Sequence, residues 1–294
     1  MIHRIEDQGL RVDVNSLGAE LWSLYKKEED IEYLWQGDTE VWPKKAPVLF
    51  PHCGRLKENR YSHNNRIYES PIHGFVRDHE HRVVDQGKTS ITFLLSDSPE
   101  TLKVYPFRFN LYTRFQLDNG KLTQSFEVEN KQEEVMLFSL GYHTGFKVPF
   151  DAFHGVEDYS IVFEKEESPV ELKCNEEGLL NGKEEVYMKN RRTIDVHEGL
   201  FPSSFILSGL KSEYVSIVEK DSGREIKVGI KDFPYVVFWS KPKKIHFICV
   251  EPWYGLPDAA DTQGSFETKP GILTLSPGQR FSCQMTIEIG KKLR

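Results

Sequence analysis

The chain has 294 residues, 28% of them charged, and a formal net charge of −7. That length allows a large core in one domain or two, and the acidic balance argues against a nucleic-acid-binding surface. No apolar run approaches the roughly 20 residues of a membrane helix, residues 1–7 lack the apolar core of a signal peptide, and Cys53, Cys174, Cys249 and Cys283 are scattered like reduced thiols rather than a disulfide framework; a cytoplasmic protein is expected.

Residues 38–42, ahead of Pro43, read as a single turn of helix. Pro51-His52-Cys53-Gly54-Arg55-Leu56 and Pro71-Ile72-His73-Gly74-Phe75-Val76-Arg77-Asp78 are turn-rich, and each sets a cation or imidazole beside a glycine. Arg55 can fork two hydrogen bonds to vicinal hydroxyls or a ring oxygen, and His73 can add another. Arg77 has a plain reading as the surface partner of Asp78, worth about 0–1 kcal/mol, and a functional one as an anion-capturing guanidinium. His79-Glu80-His81 would put two imidazoles on one strand face. With no cysteine partner and no HExxH spacing, it gives little support to a metal, and none is expected.

Ser98-Pro99-Glu100 reads as a helix start, with serine as cap and proline at the first helical position; Pro106 closes it. Phe107, Phe109, Leu111, Thr113, Phe115 and Leu117 then alternate with polar residues on one strand. Asn119-Gly120 makes a tight turn, and Leu122, Gln124, Phe126 and Val128 continue on the returning strand. Leu137-Phe138-Ser139-Leu140-Gly141-Tyr142-His143 is an apolar run ending in a histidine flanked by glycines. Residues 158–190 carry many charges and little pattern, and read as peripheral loops and short strands. Residues 213–219 and 224–230 form a second hairpin around Asp221-Ser222-Gly223, and residues 235–239 a more fully buried strand. Finally, Ile245-His246-Phe247-Ile248-Cys249-Val250 delivers Glu251, where Pro252 is expected to stop the strand.

A carboxylate on a buried strand is costly unless it is paired or used. Glu251 therefore reads either as half of a structural ion pair or as a general base. His143 reads either as a hydrogen-bonded structural group or as a proton carrier whose ordinary pKa suits neutral pH. The many short strands and few short helices give an all-β fold class, a single antiparallel β-sandwich or barrel over residues 1–294.

In this order the segments resemble the aldose 1-epimerase (galactose mutarotase-like) superfamily, nearest its bacterial LacX-type branch, along almost the whole chain. The motifs that carry the resemblance are Gly18-Ala19-Glu20-Leu21 with Tyr33-Leu34-Trp35, Pro47-Val48-Leu49-Phe50-Pro51 with Gly54-Arg55-Leu56, His73-Gly74-Phe75-Val76-Arg77, Gly141-Tyr142-His143 and Glu251-Pro252-Trp253. The resemblance implies a large antiparallel β-sandwich (the galactose mutarotase-like supersandwich) with a cleft on one sheet. It implies His143 as general acid, Glu251 as general base, and Arg55 and His73 as sugar-binding groups. In related hexose-6-phosphate epimerases an arginine near the position of Arg77 meets phosphate. The chain departs from the pattern at Ser203-Ser204, where a substrate-binding carboxylate is expected, with Asp195 and Asp232 as possible substitutes. His52 stands where an apolar residue is expected.

The reaction so implied is anomer interconversion of a hexose without metal or other cofactor. One group removes the O1 proton while another protonates the ring oxygen; the ring opens, the C1–C2 bond rotates, and closure gives the other anomer. A protonated His143 and an ionised Glu251 are expected on opposite sides of a pyranose-sized gap, giving a bell-shaped pH profile with its acidic limb from Glu251 and its alkaline limb from His143. Trp239, Trp253 or Phe75 can stack on the sugar. The expected partner is a small-molecule aldose or sugar phosphate, with no nucleic acid and no membrane, on a monomer or homodimer. A hexose-6-phosphate 1-epimerase and a non-catalytic sugar-binding or regulatory protein are the alternatives. A glycoside hydrolase ranks last, because it needs two carboxylates and one is well placed.

Overall fold

The protein is described by a computed structural model over residues 1–291. The alternating segments fold as their period requires. Phe109–Asp118 pairs with Lys121–Asn130 in continuous antiparallel register. Asn119 and Gly120 close the hairpin at φ 50° and 79°, the left-handed pair that a two-residue turn requires. Phe109, Leu111, Thr113, Phe115 and Leu117 are buried on one face, and Leu122, Gln124, Phe126 and Val128 beside them.

This hairpin lies within a nine-stranded antiparallel sheet. Its strand order is Arg191–Asp195, Tyr159–Glu167, Tyr214–Glu219, Arg224–Gly229, Arg280–Lys291, Lys121–Asn130, Phe109–Asp118, Ser90–Ser96 and Arg82–Gln86. An eight-stranded sheet faces it, ordered Leu180–Val186, Val170–Cys174, Phe205–Ser208, Tyr235–Trp239, Phe247–Tyr254, Leu140–Tyr142 and Val48–Leu49, with Thr144–Lys147 also paired to Phe247–Tyr254. Residues of both sheets share one core: Phe115, Phe126, Ile217 and Val228 from the first meet Tyr142, Val236, Phe238, Ile248 and Val250 from the second. Phe126 stacks on Tyr142 at 4.3 Å between centroids, and the Tyr142 hydroxyl donates to the Gln124 carbonyl at 2.9 Å. At about 1.5–3 kcal/mol for each fully buried large side chain, this interface dominates the stability of the fold.

The far face of the eight-stranded sheet is also covered. Leu49, Cys53, Ile206, Val237, Trp253 and Leu256 form a separate buried cluster there. Strand alternation thus assigns Val236, Phe238 and Val250 to the main core, and Val237, Trp239, Glu251 and Trp253 to the opposite side.

Three expectations are corrected. Residues 158–190 are not peripheral throughout: Tyr159–Glu167 runs inside the nine-stranded sheet and buries Tyr159, Ile161 and Phe163. Its charges sit mainly at the far end, which hides its period. Residues 38–42 are not helical. The Asp38 N–H donates to the Trp42 carbonyl, and the Asp38 carboxylate caps the turn by accepting from the Glu40 N–H at 2.8 Å. Third, the strand does not stop at Pro252. Phe247–Tyr254 passes through it, with Val236 opposite Pro252 on one side.

The expected short helix is present at Thr101–Val104. The Ser98 hydroxyl accepts the Thr101 N–H, and Thr101 Oγ1 accepts the Ser98 N–H. No helix among the described residues is long and apolar enough to cross a membrane.

Candidate active site

The register of the eight-stranded sheet makes the site. Gly141 pairs with Trp253 and Thr144 with Val250. The strand breaks between them, so His143 falls directly opposite Glu251. On the other side Glu251 pairs with Val237, and Val237 with Ile206. Ile206, Val237, Glu251 and His143 therefore form one row across the outer face. The break in the ladder is also where Pro252 has no N–H to give. The Tyr142 carbonyl accepts the Trp253 indole N–H at 3.1 Å instead, which is how a proline is tolerated in the middle of this sheet. Gly141 is required here, because a Cβ would stand 2.7 Å from Trp253 Cδ1.

A cavity of about 320 Å³ opens over this row, within the range of small-ligand sites. Of the residues anticipated for the site, Arg55, His73, Arg77, His143, Trp239, Glu251 and Trp253 line it, and Phe75 does not. His143 Nε2 lies 3.4 Å from Glu251 Oε2, in direct proximity rather than across a sugar-sized gap. Glu251 is 1% exposed and His143 8%. Neither Glu251 Oε2 nor His143 Nδ1 has a hydrogen-bond partner.

Burial pushes the Glu251 carboxyl well above its usual range, and the nearby Trp253 indole pulls it back only partly. Burial, reinforced by the Arg77 guanidinium, lowers His143 to about 3. Both shifts favour a protonated carboxyl beside a neutral imidazole over the expected ion pair, because burial disfavours separated charges. The pair still holds one proton, and its titration belongs to both groups together.

The remaining groups are donors. His73 Nδ1 accepts the Gly54 N–H at 3.0 Å. That bond fixes the tautomer and leaves Nε2–H for the cavity. Burial, with the neighbouring His143, holds His73 well below the ordinary histidine value, so it stays neutral. This geometry needs Gly74 at φ 77°, where a Cβ would run into the Phe50 carbonyl. The Arg55 guanidinium forms no hydrogen bond or ion pair among the described residues and lies against Gly178. Arg77 Nε is buried without a hydrogen-bond partner. Its nearest carboxylate, Asp78, is 3.6 Å away and more than half exposed, a contact of little energetic consequence.

Trp42 is the residue that the sequence did not reveal. It lines the cavity and stacks on the His143 ring at 5.0 Å and 26°. Trp239 meets both rings edge-on. The signal was an aromatic residue just before a proline in an otherwise polar loop. Phe75, by contrast, packs on Tyr105 and Phe109 away from the cavity.

Ser204 lines the cavity, and neither Asp195 nor Asp232 does. Asp195 is held by Ser160 and Lys220 on the nine-stranded sheet. Asp232 borders a separate groove with Tyr254. Glu251 is the one carboxylate among the described cavity residues. His79 and His81 lie outside any strand, and each ring pairs with a main-chain carbonyl, of Phe75 and of Val76. His52 is a buried neutral ring with Nε2 2.9 Å from Ser70 Oγ.

Comparison with known proteins identifies the family and the fold. The family model for aldose 1-epimerase matches residues 1–288. The chromosomal LacX protein of Lactococcus lactis subsp. lactis is 32% identical over 286 residues, 94% of this chain and 95% of that protein. Among solved structures, a galactose mutarotase related enzyme from Lactobacillus acidophilus superposes with a TM-score of 0.95 at 33% identity over the full length of both chains. A galactose mutarotase-like protein from Lactobacillus casei ATCC 334 gives 0.91 at 32% identity, covering 99% of this chain and all of the other.

Proposed function

The chain belongs to the aldose 1-epimerase family, and we propose that it interconverts the α and β anomers of a hexose by acid–base ring opening and closure. The observation that carries this reading is the His143–Glu251 pair at the floor of a cavity whose wall also carries Arg55, Arg77, His73 and three tryptophans. O1 and the ring oxygen are both bonded to C1, so they are close neighbours. Two proton-transfer groups 3.4 Å apart suit them better than groups across the ring. With one proton between them, one member takes the O1 proton while the other gives its proton to the ring oxygen. After rotation about C1–C2 the two exchange roles and close the other face. The pair returns to its starting state, so no metal or covalent intermediate is required.

Acid–base catalysis of this kind contributes about 10²–10⁴-fold. Arg55, the His73 Nε2–H and Arg77 orient the sugar hydroxyls so that both transfers align. Trp42, Trp239 and Trp253 offer apolar faces. Polarimetry or exchange NMR on freshly dissolved α-glucose and α-galactose tests the proposal. Accelerated approach to anomeric equilibrium supports it, and binding without acceleration would replace it with a sugar-binding role, which Ser204 at the cavity wall would suit.

A second reading is favoured by the two guanidiniums. Neither Arg55 nor Arg77 has a strong counter-ion among the described residues, and Glu251 is the one carboxylate among the described residues that line the cavity with them. An anionic substrate, a hexose 6-phosphate, would supply the missing charge. Comparing glucose with glucose 6-phosphate separates the two.

A further inference from the structure

One imidazole nitrogen of His143, Cys249 Sγ and a carboxylate oxygen of Glu251 all lie within 4.8 Å of one another, and all three residues are buried. Cys249 is two residues before Glu251 on the same strand, so alternation turns both side chains to the same face. It pairs with Gly145 on one side and Trp239 on the other. The anomerase chemistry has no use for this thiol. Donor atoms bound to one zinc at about 2.0–2.3 Å stand roughly 3.3–3.8 Å apart in a tetrahedron. The His143–Glu251 separation of 3.4 Å already falls in that range, while Glu251 Oε2 is buried without a hydrogen-bond partner.

We propose that His143, Cys249 and Glu251 form a latent three-ligand site for a thiophilic divalent cation such as zinc, with the fourth position open to the cavity, and that its occupation silences the acid–base pair. Nitrogen, sulfur and oxygen ligands in one set select a borderline-soft ion over magnesium or calcium. Burial keeps His143 neutral, the form that binds a metal. The same burial raises the Cys249 thiol and the Glu251 carboxyl, and coordination would displace both protons to solvent. The cation would then hold the nitrogen and the oxygen that must otherwise exchange protons with the sugar.

Calorimetric titration of the full chain with zinc, and absorption spectroscopy with cobalt(II), test the site without reference to turnover. Expected are one zinc per chain and a thiolate-to-cobalt charge-transfer band. Cys249→Ala and Cys249→Ser should abolish the band and weaken zinc by at least the roughly 10–100-fold that losing even an outer partner of a metal ligand costs. His143→Asn should weaken it similarly, and Cys53→Ala should not. Unchanged zinc affinity in the Cys249 and His143 variants, or a cobalt complex without the sulfur band, overturns the site. Zinc inhibition of anomer exchange that persists undiminished in Cys249→Ala overturns the silencing. Because binding is read directly, a chain that binds zinc as stated yet turns over no sugar would refute the epimerase reading and leave the metal site standing.

Discussion

His143 and Glu251 are cross-strand neighbours, with Nε2 and Oε2 3.4 Å apart at the one place where the ladder between their strands is broken. The break frees His143 from the sheet's hydrogen-bonding pattern while the flanking pairs hold it in register. His143→Asn and Glu251→Gln should therefore each lower the enzymatic anomerisation rate by about 10²–10⁴-fold without changing the fold. Saturation-transfer NMR on glucose and far-ultraviolet circular dichroism check the two halves of the statement. Full activity in either variant removes that residue from the chemistry.

The pH profile follows from the one-proton state of the pair. On the acid side activity falls as the imidazole takes a second proton, and His143 is lowered to about 3. On the alkaline side it falls as the buried carboxyl ionises, above its ordinary 4.5. The limbs are thus the reverse of those that the unperturbed groups would give. The catalysed rate, corrected for spontaneous mutarotation, should not fall on acidification through the ordinary histidine value of 6.5. A loss of activity centred there on acidification would contradict the assignment.

Charge selectivity tests the two arginines. Arg77→Ala should reduce kcat/KM for glucose 6-phosphate by at least about tenfold more than for glucose, since a charge-assisted hydrogen bond is worth about 1.5–3 kcal/mol. Equal losses on both sugars would reduce Arg77 to a group that holds His143 neutral. Arg55→Ala gives the companion comparison.

Gly74 holds the left-handed turn that aims His73 into the cavity. Gly74→Ala should cost about 1–3 kcal/mol or more, from the positive φ and the collision with the Phe50 carbonyl. Urea unfolding measures the loss, and a fall of less than a few tenths of a kilocalorie would show that the turn can relax.

Acid should destabilise the protein through its buried histidines. A histidine whose folded pKa lies below its unfolded value adds stability above the unfolded value and loses it as pH falls through the folded one. His81 is lowered by burial to about 4 from 6.5, a difference of roughly 3 kcal/mol when fully expressed. Unfolding free energies at about pH 7 and about pH 4 should fall steeply in the native chain and less so in His81→Gln. Parallel slopes would place the acid lability elsewhere.

Much of this arrangement was legible in the amino-acid order because alternation and turn chemistry are local. Asn119-Gly120 specifies a hairpin wherever it is placed, and Arg55, His73 and Arg77 sit in turn-rich segments whose glycines announce unusual backbone. The course of the chain through Pro252 was not legible. Its tolerance depends on a gap in a strand contributed by a distant segment, and on an indole that takes over the orphaned carbonyl. Trp42 was hidden for a similar reason, since only the tertiary fold lays its loop over His143. The charge balance of His143 and Glu251 was not legible because ordinary pKa values presume full solvation, and both groups are almost fully buried.

The eight-stranded sheet turns alternate side chains to the main core and to the smaller outer cluster that borders the cavity. Val236, Phe238 and Val250 can stay fixed while Val237, Trp239 and their outward neighbours change. Substrate preference can therefore drift by single replacements that leave the foundation of the fold untouched. Selection for a new sugar and selection for thermal endurance would act on interleaved but separate sets of positions.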